Sequence, residues 1–244
     1  MNRSKNAIVT GGSRGIGRAV AQRLASNGVA VSVTYANSPE SAHEVVETIQ
    51  QAGGRAVAIR ADVADPEQMT ALFSQAESEF GGIDIVVTSA GIMRPALMVE
   101  ATDKDFSDHV AVNIRGTFNA LREAARRIRD GGRIITFSST TLALNAPGYG
   151  IYNATKGAVE GLTRVLAKEL GSRGVTVNAI APGPVETELF LSGKTKADVE
   201  RLASLAPQHR IGQPVDISDA VALLVSADAG WINGQIVRVN GGVA

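Results

Sequence analysis

Short apolar runs alternate with longer amphipathic stretches along the chain, and this alternation restricts the fold more than any other feature of the sequence. Seven of the runs are brief, continuous and rich in β-branched residues, which is typical of parallel strands covered on both faces. They are residues 7–10, 30–34, 55–60, 84–88, 133–137, 176–181 and 235–239.

Helical periodicity fills most of the intervals between these runs. The predicted helices are residues 15–27, 39–51, 66–80, 103–129, 151–172 and 215–226. Because no break in composition divides the 244 residues, we expect one α/β domain over residues 1–244: a Rossmann-type, doubly wound, seven-stranded parallel sheet with helices on both faces. A long excursion from Pro182 to Pro214 follows the sixth strand, and its segment 187–206 is a candidate substrate lid.

Charge and composition narrow the possible partners. Basic and acidic residues number 24 each, so no overall field favours nucleic acid or an anionic membrane. The chain has no cysteine, which excludes disulfides and thiolate chemistry, and no His, Asp or Glu grouping has metal-site spacing. The N-terminus enters a strand pattern directly, and no apolar run approaches the roughly 18 residues that span a bilayer. We therefore expect a cytoplasmic protein without a metal.

The first strand leads into a glycine-rich turn, Thr10-Gly-Gly-Ser-Arg-Gly-Ile-Gly17. Glycines 11, 15 and 17 between a strand and a helix let backbone N–H groups approach an anion at the helix N-terminus. The spacing differs from the commoner Gly-x-Gly-x-x-Gly of Rossmann folds. A glycine-rich turn without a ligand is the alternative, and the position of the motif between strand and helix disfavours it.

The end of the second strand bears on the choice of nucleotide. A fold that prefers NAD usually carries an acid here, and Val33-Thr-Tyr-Ala-Asn-Ser38 has none. Arg14 can instead pair with a ribose 2′-phosphate, supported by Asn37 and Ser38, so the sequence favours NADP(H) over NAD(H). The alternative is a solvated Arg14 in a pocket that accepts either nucleotide.

Polar and small residues at later strand ends add to this site. Asp62, before Val63, can accept a hydrogen bond from an adenine amino group, although a surface Asp that starts a helix is nearly as common. Ser89-Ala90-Gly91 suits a backbone that passes close to a ribose. Asn113 lies in the middle of a predicted helix, where asparagine is mildly unfavourable, and it is either functional or a satisfied core amide.

Tyr152 and Lys156 stand four residues apart at the start of a predicted helix, so both side chains reach one ligand. A nearby ammonium is expected to lower the pKa of the phenol and make it useful as an acid or base. Ser139 can hydrogen-bond the same substrate oxygen. Taken alone, the pair also fits an amphipathic helix with a surface lysine.

Together these residues resemble the short-chain dehydrogenase/reductase family over the whole chain. The resemblance rests on the order and spacing of Thr10–Gly17, Asp62-Val63, Ala90-Gly91, Asn113, Ser139, Tyr152-Asn-Ala-Thr-Lys156, residues 178–183 and residues 234–242. It implies a catalytic set of Asn113, Ser139, Tyr152 and Lys156, in which Tyr152 exchanges the proton and Asn113 holds a water through a distorted helix. It also implies that residues 182–187 fix the nicotinamide, and that the protein is a homo-oligomer, commonly a tetramer, built on the helices after Asp103 and Ile151.

The residues and the resemblance together predict two sets of binding residues. The predicted nucleotide-binding residues are Gly11, Ser13, Arg14, Gly15, Ile16, Gly17, Tyr35, Asn37, Ser38, Asp62, Val63, Ser89, Ala90, Gly91, Tyr152, Lys156, Pro182, Gly183, Val185 and Thr187. The predicted substrate-binding residues are Met93, Ser139, Thr141, Asn145, Tyr149, Tyr152 and Phe190. His209 is predicted to be a surface histidine.

The predicted function is NADPH-dependent reduction of a ketone, or oxidation of a secondary alcohol, on a small molecule. The chain resembles 3-oxoacyl-carrier-protein reductases, but one of the two arginine positions with which those enzymes hold their acidic carrier falls on Asp130, the other being Arg173. A second departure is Thr88-Ser-Ala-Gly91, where the family has two asparagines that brace the strand. The alternatives are an NAD-dependent polyol or sugar dehydrogenase of the same family and a catalytically silent NADP-sensing protein.

Overall fold

The computed structural model describes residues 5–244, and within them seven strands form one parallel sheet. The strands are β1 (Asn6–Thr10), β2 (Ala30–Tyr35), β3 (Ala56–Arg60), β4 (Ile83–Thr88), β5 (Ile128–Phe137), β6 (Thr176–Pro182) and β7 (Ile236–Val239). Their spatial order is β3-β2-β1-β4-β5-β6-β7. The order reverses between β1 and β4, which places a ligand-binding crevice at the carboxyl ends of these two strands.

Helices cover both faces of the sheet. They are α1 (Gly15–Ser26), α2 (Pro39–Gln51), α3 (Pro66–Phe80), α4 (Asp103–His109), α5 (Thr117–Arg127), α6 (Thr141–Leu144), α7 (Gly150–Glu169), α8 (Glu188–Leu191), α9 (Lys196–Ala203) and α10 (Pro214–Leu224). One apolar cluster packs α1, α2 and α10 against the sheet, and a second packs α3, α5 and α7 against the other face. The doubly wound α/β prediction is confirmed. Within residues 5–244, none of the helices has the length and hydropathy needed to cross a bilayer.

The predicted helix over residues 103–129 is present as one unbroken helical stretch from Asp103 to Arg127, but it is not α-helical throughout. Between α4 and α5 the chain forms a π-helical turn, Val110–Gly116, and α5 ends at Arg127. Ile128 then joins β5, where it is paired with Ile83 and fully buried. The register of β4 and β5 shifts beyond this pair, so residues 129–132 bulge out before the strand resumes. Burial of Ile128 in the sheet outweighs the helical pattern that the preceding residues set.

The excursion after β6 contains two short helices, α8 and α9, rather than irregular chain. Thr187 caps α8 by accepting from the Phe190 N–H at 3.2 Å, and Thr195 forms a reciprocal capping box with Asp198 at the start of α9. An isolated bridge from Val185 to Gly212 closes the base of the excursion. Segment 187–206 therefore lies between two fixed attachment points.

Candidate active site

The glycine turn after β1 has no room for a side chain at Gly11 or Gly17. A Cβ atom at Gly11 would lie 2.8 Å from the Ala90 Cα atom, and one at Gly17 would lie 2.2 Å from the Gly11 carbonyl oxygen. Gly11 and Gly15 have φ angles of +62° and +52°, in the left-handed region that favours glycine. No side chain caps α1, and its first turn has no acidic residue. This turn fits a pyrophosphate, because it lies at the N-terminal, positive end of a helix.

The residues predicted to surround the adenosine ribose lie on the open side of this turn. Arg14 is exposed, with its Nη1 atom 4.0 Å from Glu188 Oε2 of α8. Asn37 is exposed and Ser38 is partly buried, while the Tyr35 ring centroid lies 6.3 Å from that of His43. Ser13 is buried and its carbonyl oxygen accepts from the Arg18 guanidinium at 3.1–3.2 Å, and Ile16 is partly buried. The arrangement leaves a cation and neutral polar groups where a 2′-phosphate would bind.

The loops after β3 and β4 form the next part of the crevice. Asp62 is exposed and accepts from the Ala64 N–H at 2.9 Å, whereas Val63 is buried and its carbonyl oxygen accepts from Asn119 Nδ2 at 3.0 Å. Ser89, Ala90 and Gly91 are partly buried. A Cβ atom at Gly91 would lie 3.4 Å from Asn113 Oδ1 and 3.9 Å from Lys156 Nζ. Gly91 thus brings the β4 loop close to two of the predicted catalytic side chains.

Asn113 lies in the π-helical turn and is almost fully buried. Its Oδ1 atom accepts from the Ile92 N–H at 2.9 Å, and its Nδ2 atom donates to the Ile92 carbonyl at 3.0 Å and to Thr155 Oγ1 at 3.1 Å. The distorted helix that the resemblance implies is present here. Its amide fixes the β4 loop on one side and α7 on the other.

Ser139, Tyr152 and Lys156 meet where β5 ends beside the first turns of α7. Ser139 lies near enough to the Tyr152 phenol to act against the effect of burial on its pKa. Ser139 Oγ accepts from the N–H and Oγ1 of Thr141 at 3.2 and 2.9 Å. Lys156 Nζ lies 5.5 Å from the Tyr152 ring centroid and donates to the Phe137 carbonyl oxygen at 2.8 Å. The three side chains lie together where β5 ends.

The expected direction of the Tyr152 shift was wrong. Burial raises the pKa of Tyr152 to about 12, because desolvation of the phenolate outweighs the hydrogen bond with Ser139. Burial also lowers the pKa of Lys156 to about 8. The lysine is buried and its ammonium is directed to a main-chain carbonyl, so in this arrangement desolvation, rather than attraction between the two groups, sets both values.

Residues 182–187 close the crevice from the β6 side. The Gly183 N–H donates to the Val239 carbonyl at 3.0 Å, and a Cβ atom at Gly183 would lie 2.9 Å from the Asn240 Cα atom. Pro182 is partly buried at the end of β6, and Val185 is buried. The Thr187 Cγ2 atom would be 3.3 Å from a Cβ atom at Gly15. The start of the excursion therefore packs directly on the glycine turn.

The predicted substrate residues divide into a close group and a peripheral one. The close group is Thr141, whose hydroxyl donates a hydrogen bond to Ser139 Oγ, and Tyr149, whose ring lies edge-on to that of Tyr152 with the centroids 6.4 Å apart. Met93 and Phe190 are partly buried in the β4 loop and α8. Asn145 is exposed, with φ of 50°, and its amide faces the Ala143 carbonyl at 3.4 Å. His209 is exposed, as predicted.

Sequence reasoning missed several supporting groups. Asn153 Nδ2 donates to the Thr141 carbonyl at 3.0 Å and so ties α7 to the loop after Ser139. Lys156 binds the main-chain carbonyl of Phe137, and because every residue has such a carbonyl, the sequence does not indicate this partner. Burial raises the pKa of the Tyr149 phenol, and the charge of Arg201 in α9 opposes this rise, which only the fold of the excursion could reveal. In the described residues no group of three or more His, Cys, Asp or Glu side chains could hold a metal.

The arginines near the predicted carrier contact are held within the protein. Arg173 Nε donates to Asp130 Oδ1 at 2.8 Å, and its Nη1 donates to the Ala125 carbonyl at 2.9 Å. Arg173 Nη2 also donates to the Ile128 carbonyl. Arg129 Nη1 lies 3.3 Å from the Asp84 carboxylate. Both guanidinium groups thus have acidic partners in their own chain.

Comparisons with known proteins agree with this geometry. A family model described as enoyl-(acyl carrier protein) reductase matches residues 11–244. A versicolorin reductase from Emericella nidulans is 43% identical over 98% of this chain and 95% of its own length. The 3-oxoacyl-(acyl-carrier-protein) reductase of Staphylococcus aureus is 41% identical over 100% of this chain and 99% of its own length.

Solved structures of similar sequence have the same fold as this chain. A dehydrogenase/reductase from Sinorhizobium meliloti superposes with a TM-score of 0.94 at 44% identity, covering 99% of this chain and 95% of that one. A short-chain dehydrogenase from Burkholderia cenocepacia in complex with NADP superposes with a TM-score of 0.93 at 38% identity, covering 99% of this chain and 98% of that one. The fold and these relatives define an oxidoreductase with a Rossmann-type sheet. The chain belongs to the short-chain dehydrogenase/reductase family.

Proposed function

We propose that this protein is an NADPH-dependent carbonyl reductase, acting reversibly as a secondary-alcohol dehydrogenase on a small molecule. The observation that carries the proposal is the placement of Ser139 beside the Tyr152 phenol, with Lys156 next to the Tyr152 ring and Asn113 close to Lys156 across Gly91. A pair of hydroxyls at the end of a parallel strand can bind one carbonyl oxygen. NADPH, when bound, supplies the hydride that such a reduction requires.

Tyr152 is the proton donor in the reductive direction. With a pKa of about 12, its phenol is protonated throughout the neutral range and ready to give the proton to the developing alkoxide. Ser139 orients the carbonyl and stabilises the phenolate that remains. Lys156, with its pKa near 8, is mostly charged at pH 7 and can return a proton to Tyr152. Asn113 holds the β4 loop and α7 together around this exchange.

The cofactor is held by three groups of residues under this proposal. The N–H groups of the glycine turn bind the pyrophosphate, as the absence of room for Cβ atoms supports. Arg14 pairs with the 2′-phosphate, which the lack of an acid at residues 35–38 and the NADP-bound relative both favour. Residues 182–187 flank the nicotinamide, and segment 187–206 acts as the lid.

The proposed substrate is a free ketone rather than a ketone carried on an acidic protein. The Arg173–Asp130 pair supports this choice, because a guanidinium that already has a carboxylate partner offers little to another acidic surface. The similarity to the Staphylococcus aureus reductase keeps 3-oxoacyl esters among the candidate substrates. We also propose that the protein is cytoplasmic and that it is a homo-oligomer, the second of which the family resemblance implies.

The test is the initial rate of NADPH oxidation with a panel of aromatic ketones, diketones, steroids and 3-oxoacyl esters, with NADH in parallel. Tyr152→Phe is expected to lower kcat/KM by about 10²- to 10⁴-fold, the usual contribution of a positioned proton donor. Tyr149→Phe is the comparison variant: Tyr149 is a predicted substrate-binding phenol rather than the proton donor, so we expect it to change KM and to retain turnover. Unchanged activity in Tyr152→Phe would rule out the mechanism.

Two outcomes would favour other functions. Faster turnover with NADH and polyols would indicate an NAD-dependent dehydrogenase of the same family. Tight NADPH binding without turnover of any carbonyl would indicate a nucleotide-sensing protein.

A further inference from the structure

His109, the last residue of α4, is completely buried although it lies outside the group of residues that the proposed mechanism uses. Both of its ring nitrogens have partners. Nδ1 lies 2.7 Å from the Asp105 carbonyl oxygen, and Nε2 accepts from the Arg94 N–H at 3.2 Å. A carbonyl oxygen can only accept and a main-chain N–H can only donate, so the network assigns the proton to Nδ1 and the lone pair to Nε2.

The same helical face holds the β4 loop at a second point. Asn113, four residues after His109, binds both the N–H and the carbonyl of Ile92. The two side chains therefore fix the main chain at residues 92 and 94, on either side of Met93, which is a predicted substrate residue. Neither contact involves a side chain of the loop, so both would persist if the loop side chains were changed.

We propose that His109 is a positioning residue, which fixes the substrate-facing loop through the Arg94 main-chain N–H. Its kinetic consequence rests on the proposed function, since it concerns how that loop meets a ketone. His109 binds the loop at Arg94, whereas Asn113 binds it at Ile92, beside Gly91 and Lys156. Loss of His109 is therefore expected to disturb ketone binding while leaving the Ser139–Tyr152–Lys156 group in place.

The Arg94 side chain makes a separate contact that supplies the control. Its Nη1 atom lies 2.6 Å from Asp108 Oδ2 and 3.7 Å from Asp105 Oδ1, and the arginine side chain is 52% exposed. Exposed ion pairs of this kind contribute little to stability. Arg94→Ala removes the ion pair and keeps the N–H that His109 accepts from, so it separates the side-chain contact from the main-chain one.

The experiment compares His109→Gln, His109→Leu and His109→Asn with Arg94→Ala and the unchanged protein. Glutamine retains an acceptor with the reach of Nε2, leucine has none, and asparagine is polar but too short to reach Arg94. The primary readout is amide hydrogen exchange at Arg94, referenced to exchange in β4 and β5. It needs no substrate, so failure of the proposed reductase activity leaves this readout intact.

Exchange at Arg94 is expected to accelerate by about tenfold in His109→Leu and His109→Asn, the effect of one lost neutral hydrogen bond, and to stay near the original rate in His109→Gln and Arg94→Ala. With an active ketone, KM should rise by about tenfold in the Leu and Asn variants while kcat and the NADPH Kd stay within about twofold. His109→Gln should restore KM.

Two results would overturn the proposal. One is unchanged exchange at Arg94 in His109→Leu and His109→Asn. The other is an equal acceleration in all three His109 variants, which would make the histidine a packing residue. If His109→Leu does not fold, the comparison of His109→Asn with His109→Gln decides between the same two conclusions.

Discussion

Thr88 and Thr136 are register partners on the neighbouring strands β4 and β5, but only Thr136 has a hydrogen bond for its buried hydroxyl. Thr136 Oγ1 lies 2.7 Å from Thr163 Oγ1 of α7, whereas Thr88 Oγ1 is without a hydrogen-bond partner among residues 5–244. Thr88 occupies the first position of the motif in which related enzymes carry bracing asparagines. The brace at that position is therefore absent, and a buried hydroxyl is left in its place.

This difference predicts opposite results for one substitution at the two sites. Thr88→Val should leave the free energy of unfolding unchanged or raise it by about 1 kcal/mol, because it removes an unsatisfied polar group at constant shape. Thr136→Val should lower it by about 1–2 kcal/mol, because it leaves the Thr163 hydroxyl with one partner fewer. Urea denaturation measures both values. Equal destabilisation at the two sites would show that Thr88 has a partner after all.

The buried Lys156 predicts a specific pH dependence of stability. Its pKa of about 8 is below the ordinary 10.5, so between these values the unfolded chain binds more protons than the folded one. Stability from this group therefore rises as pH increases from about 8 to 10.5, and the cost of burying the charge is fully present below pH 8.

Lys156→Met should remove this dependence. The measurement is the free energy of unfolding of this variant minus that of the unchanged protein, from urea denaturation without cofactor. The difference should be highest near pH 7 and should fall towards pH 10, over a range of about 3 kcal/mol at most. Lys168→Met, an exposed lysine of the same helix, is the control and should give a flat difference. A flat difference for Lys156 too would contradict the lowered pKa.

Arg14 predicts the nucleotide preference. Arg14→Ala should raise the Kd for NADPH by about 10- to 100-fold, the loss of a charge-assisted contact, and leave the Kd for NADH nearly unchanged. Glu188→Gln is a useful companion, because it removes the acid that lies 4.0 Å from Arg14 and should tighten NADPH modestly. Fluorescence titration of both nucleotides measures these values. Equal loss for both nucleotides would refute a 2′-phosphate contact.

The parallel sheet and the convergence of the motifs could be predicted because they depend on patterns that sequence records directly. Apolar runs define the strands, and the carboxyl ends of parallel strands share one edge, so Gly11 after β1 and Ser139 after β5 could be placed at that edge. The side-chain pattern of residues 110–116 is equally compatible with an α-helix, so the distortion at Asn113 was predicted only from the family resemblance. Its π-helical form and its bounds could not be predicted.

Hydrogen bonds from side chains to main-chain groups could not be predicted from the sequence either. Lys156 binds a carbonyl of Phe137, and His109 binds an N–H of Arg94, groups that every position in the chain possesses. The sign of the Tyr152 shift also depends on a balance between burial and charge that spacing alone does not determine. Four residues of separation place the ammonium nearby, but they do not say how much water the phenol loses.

Ala90 packs against Gly11, and Thr187 packs against Gly15, which has a consequence for the order of events during synthesis and folding. The proposed nucleotide site joins parts of the chain that are far apart in sequence. A nascent chain that ends before β6 therefore has the glycine turn but lacks Thr187. Nucleotide affinity should therefore appear late during refolding, after the non-local strand pairs have formed. Binding of NADPH would then report completion of folding rather than formation of its first half.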